Sequence, residues 1–116
     1  MPRAERQRLA TAAHLALQAL LAGEPQAAWL DLPAAAGVAT ELLAGRDVDA
    51  DVLHAVERAT AALLDTAGLP TPTDEARAAC VAFLPYFEGI LAAVTYRRLI
   101  DAQSVTLAAW QAQAAA

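Results

Sequence analysis

Alanine sets the terms for this chain. Of 116 residues, 33 are Ala, and they fall among Leu, Val and Ile at the three- and four-residue spacing of a helix face, with no stretch that alternates like a strand. Alanine has the highest helix propensity and loses no side-chain entropy in a helix. The expected fold class is all-α: a small bundle of four main helices plus one short helix, in a single domain over residues 1–116. Alanine also buries little area per residue. A bundle built from it has a thin core and keeps apolar surface, which association with a second copy would cover.

Turn and capping residues divide the chain. A first helix runs from Arg3 to Ala22 and stops at Gly23, with Leu9, Ala13, Ala16, Leu17 and Leu20 as its apolar stripe. A short helix over Pro25 to Leu30 carries Trp29. Asp31 can cap the next helix, with Pro33 harmless in its first turn. That helix ends near Leu43 or Ala44, before Gly45. Asp49 is an N-cap and Asp51 a first-turn acid for a helix that closes at Gly68. Its stripe is Val52, Val56, Ala59, Leu63 and Ala67. The segment Gly68-Leu69-Pro70-Thr71-Pro72-Thr73 is the one pronounced linker, and Thr73 caps the helix after it. The stripe Phe83, Phe87, Ile90 and Val94 keeps its phase across Pro85. This favours one long helix kinked at Pro85 over two helices broken there. Beyond Tyr96 the phase drifts: either the helix turns a new face to a partner or it breaks near Ser104. Residues 111–116 are expected to fray.

Charge and cysteine content exclude several classes of function. Net charge is −5 and all eight basic residues are Arg. An acidic chain is poorly suited to bulk nucleic-acid binding, which relies on neutralising phosphates. Cys80 is the only cysteine, and its apolar helical context reads as a buried, inert thiol. The uncharged runs Leu9–Gly23 and Ala102–Ala116 are shorter than the roughly 20 apolar residues of a membrane span. Arg3, Arg6 and Arg8 before an apolar run look like a signal peptide, but Glu5, His14 and Gln18 break that pattern. The expectation is a cytoplasmic protein with no membrane contact.

Few residues suggest chemistry. His54 and Glu57 form H-x-x-E on one helix, yet no second such motif or further ligand accompanies them. Arg8 and His14 match the R-x5-H spacing of some helical ribonucleases, but near the N-terminus rather than on a later core helix. Asp47, Asp49 and Asp51 alternate as in a calcium loop, but Val52 and Arg58 stand where Gly and Glu are needed; helix capping explains the acids. Ser104 is the only serine, and no histidine comes after it. The expectation is therefore no enzyme, no cofactor and no metal. Gly89, inside the long helix, is expected to permit close helix approach or to relieve the Pro85 kink.

The remaining candidates form an interface: Tyr96, Arg97, Arg98, Leu99, Ile100 and Trp110, a compact basic and aromatic group of the kind that anchors protein contacts. The competing reading pairs Arg97 and Arg98 with Asp101 and Glu88 on the surface. The middle and final parts are similar in order to phage head–tail connector subunits: an acidic-capped helix from Asp49 to Ala67, the loop Leu69-Pro70, and a helix ending in Tyr96-Arg97-Arg98. The likeness covers about half of the chain on generic motifs, and implies at most an assembly role. The function expected is a non-enzymatic interaction or assembly subunit (adaptor, chaperone, immunity or phage-structural type), acting as a homo-oligomer or on a protein partner. The alternative is a ligand-binding sensor with an apolar cavity lined by Phe83, Phe87, Trp29 and Leu63.

Overall fold

The computed structural model describes residues 3–115; the side chains of Tyr96 and Ala115 lie outside the described residues. Five α-helices and one 3-10 turn make up an all-helical bundle. They are α1 (Arg3–Leu21), α2 (Asp31–Leu43), α3 (Ala50–Thr66), α4 (Asp74–Ala93) and α5 (Tyr96–Ala115), with the 3-10 turn at Gln26–Ala28.

The helix ends obey local chemistry. After α1, Gly23 takes φ 75°, and the amides of Gly23 and Glu24 return to the carbonyls of Leu20 and Ala19 at 3.1 and 3.0 Å. This paired closure needs a residue free to adopt a left-handed backbone. The Trp29 indole N–H then donates to the Glu24 carbonyl at 3.1 Å, anchoring the 3-10 turn. Asp31 does not cap α2: it is the first helical residue, where its charge meets the helix dipole, and Leu30 precedes it without a side-chain cap. Asp49 does cap α3, accepting from the Asp51 amide at 2.9 Å. Thr73 caps α4 through the Ala76 amide at 3.1 Å, while its own amide donates to the buried Thr66 hydroxyl at 2.7 Å.

The long final helix expected from the sequence is two helices. α4 runs through Pro85, and Pro85 is exposed, on the face opposite the core stripe. The chain instead turns at Val94 and Thr95, not at Ser104, with Val94 in extended backbone. The Thr95 hydroxyl accepts from the Arg98 amide at 3.4 Å, starting α5. The phase drift beyond Tyr96 is thus a change of helix. α5 stays helical through Ala115.

α2 lies at the centre and packs against all four other helices, while α4 packs between α1 and α3. The core joins Leu20, Leu32, Leu42, Val56, Leu63, Phe83, Phe87, Leu91 and Leu99. Phe83 and Phe87 stack with ring centroids 5.5 Å apart. Where α2 crosses α5, a Cβ on Gly37 would stand 2.8 Å from Thr106 Cγ2, so the glycine sets how closely these helices approach.

Candidate functional site: two unequal apolar surfaces

The six residues singled out from the sequence do not form one surface. Leu99 is wholly buried; with Ala102 and Thr106 it forms the face that α5 lays on the rest of the bundle. Leu99 is therefore a core residue, because the helix boundary at Thr95 resets the phase that placed it outside. Arg98 is half-buried, and its guanidinium donates to the Leu42 carbonyl at 2.6 Å. It closes the C-terminal end of α2, where unpaired carbonyls accumulate. Arg97, Ile100 and Trp110 are exposed, and the Tyr96 side chain lies outside the described residues.

Trp110 does reach a concave surface. Together with Leu107 and Gln103 it forms the α5 wall of a groove of about 300 Å³, opposite Arg8, Leu9 and Ala12 of α1, with Ala35, Val38 and Phe87 among the lining. Arg8 at the rim bonds Glu5 at 2.5 Å. Phe83, Phe87, Trp29 and Leu63 are the residues read from the sequence as lining an apolar ligand cavity. All four are within the core, and of these only Phe87 lines this groove.

Sequence periodicity missed the second surface. Between Ala78 and Ala93, the outward side of α4 presents Ala78, Val81, Ala82, Pro85, Tyr86, Gly89, Ala92 and Ala93, all exposed. At 3.6 residues per turn they fall within an arc of about 140°. Glu88 is the only charged residue in that stretch. It sits at the edge of the arc and pairs with His14 of α1. By length and mean hydropathy α4 is apolar enough to cross a membrane, yet only 44% of its most apolar window is buried in the bundle. A helix that is apolar all round is normally covered all round. The signal was present in the sequence as a near-absence of charge after Arg77; attention to the Phe83 to Val94 stripe alone conceals it.

Titratable groups offer little chemistry. Burial pushes the Cys80 thiol up to about 12, so it stays protonated and unreactive at neutral pH. Arg58 of α3 donates to Glu75 of α4 at 2.6 Å, and this bond holds the Glu75 carboxyl below its usual range. Among the described residues no three of His, Cys, Asp and Glu converge on a point that could hold a metal ion. No family model, characterised protein or solved structure matches the chain.

Proposed function

We propose that this protein is a non-enzymatic assembly subunit that works by self-association. The observation that carries the reading is α4: apolar on both its inward and outward sides beyond Arg77, and covered on one side alone. A continuous exposed apolar strip flanked by polar residues is the usual mark of a protein contact. α4 is also the stack-bearing core helix, through Phe83 and Phe87. Its outer face is therefore held rigid, and little side-chain freedom remains to be lost when a partner docks, since six of the eight strip residues are alanine, glycine or proline, which have none. Mass in solution tests this. The native chain should sediment as an oligomer at micromolar concentration, and a strict monomer would remove the reading.

A further inference from the structure

α5 is held to the rest of the molecule along a narrow contact. Its described side chains bury only Leu99, Ala102 and Thr106, about one per turn over the first half of the helix. From Leu107 to Ala114 every side chain is exposed. α5 lies against α2, and among the described residues no other helix makes a comparable contact with it. A groove runs on each side of that contact. In one, Gln103, Leu107 and Trp110 face α1 across a gap. The other, of about 210 Å³, lies between Glu41 of α2 and Asp101 and Val105 of α5. The buried Leu99 and the close approach of Gly37 to Thr106 carry the contact.

From this we infer that α5 is a hinged arm: its docked turns leave α2 together while α1 to α4 stay folded. Val94 is buried in the core and Thr95 is exposed, so the pivot has a fixed side and a solvent side. Beyond the pivot, the bond from Arg98 to the Leu42 carbonyl ties the arm to α2. α4 differs: it gives the core eight buried side chains and packs on both α1 and α3, so it cannot leave without the core. Elements with few buried apolar contacts open as units at lower free energy than the core does. Once undocked, a single helix of this length is marginal in water, so its amides exchange with solvent as soon as the contact opens. The motion also acts on the groove. α5 supplies the wall that carries Trp110, and opening takes that wall away from Ala35 and Val38 of α2. The arm thus gates the groove.

The arm is independent of self-association through α4, since α5 takes no part in that face. Amide hydrogen exchange of the native chain, followed residue by residue by NMR, tests it. The amides of residues 100–106 should share one protection level, about tenfold or more below that of the α3 amides. Their exchange should depend weakly on urea, because opening the arm exposes little surface, whereas α3 amides should show the full dependence of global unfolding. Val56→Ala removes core packing from α3 that the open form keeps. It should lower α3 protection about tenfold and leave residues 100–106 unchanged. Gly37→Ala presses on Thr106 in the docked form alone, and should lower protection of residues 100–106 about tenfold. If residues 100–106 exchange at the level and urea dependence of α3, or if Val56→Ala lowers both alike, α5 opens only when the whole molecule unfolds and the hinged arm is overturned. Protection that declines steadily toward the C-terminus, with no shared level, would reduce the arm to end fraying and overturn it equally.

Discussion

α4 and α5 are each 20 residues long, with two residues between them, yet they stand in opposite relations to the bundle. α4 buries Phe83, Leu84, Phe87, Ile90 and Leu91 on one side and leaves an almost uncharged side outward. α5 buries only Leu99, Ala102 and Thr106 among its described side chains, and its outward side mixes Ile100, Val105 and Leu107 with Arg97, Asp101, Ser104 and Gln111. Scattered apolar residues among polar ones are ordinary protein surface. A continuous uncharged strip is not. Exposure of large side chains is thus a poor guide here: α5 shows the larger ones, and α4 shows the more continuous face.

The largest expected effects lie where each helix enters the core. Phe83→Ala should destabilise the fold by about 3–5 kcal/mol, and Leu99→Ala by about 2–5 kcal/mol, read by thermal or urea unfolding. If Leu99→Ala left stability unchanged, α5 would not be docked on α2 as described. Next is the α2–α5 crossing. Gly37→Ala drives a Cβ against Thr106 Cγ2, and Thr106 cannot rotate freely because its hydroxyl bonds the Ala102 carbonyl at 2.9 Å. A loss of about 1–3 kcal/mol is expected. Adding Thr106→Ser, which removes that methyl, should recover most of it. Smaller again is Gly89→Ala. At concentrations where the chain is dissociated it should gain up to about 1 kcal/mol of stability, because the added methyl improves helix propensity and meets nothing. The same change should weaken self-association, since Gly89 lies near the middle of the exposed α4 strip. A gain in both would mean that nothing approaches α4 at Gly89. Smallest is Leu107→Ser on α5, expected within about 0.5 kcal/mol and without effect on mass.

How much the sequence reveals differs between the same two helices. Gly23, Asp49 and Thr73 are local signals, and each acts where its chemistry placed it. The boundary between α4 and α5 was illegible because two signals competed. Pro85 is a strong helix breaker, but on an exposed face the helix carries it; Thr95 is a weak cap, and the bond that ties the new helix to α2, from Arg98 to Leu42, is not local. That bond spans 56 residues, and no periodicity encodes it. The same boundary decides where the candidate site residues point. A single continuous helix would turn Leu99 outward; with the turn at Thr95 it is buried, and Arg98 reaches the end of α2. The α4 strip is encoded by small residues, whose apolar weight per position is slight and becomes visible only when a backbone shows which positions share a face.

The central claim is that a second copy lies along α4 and not along α5, and self-cross-linking measures it most directly. Where two copies meet along α4, the exposed strip of one lies against the strip of the other, within reach of a disulfide. Native Cys80 is buried and its thiol is pushed up to about 12, so it does not compete. Under mild oxidation the Ala82→Cys chain should run as a linked species of twice the 12.1 kDa chain mass, and a Val105→Cys chain, carrying its thiol on α5, should stay single. Linkage through position 105 with none through position 82 would contradict a dimer built on α4.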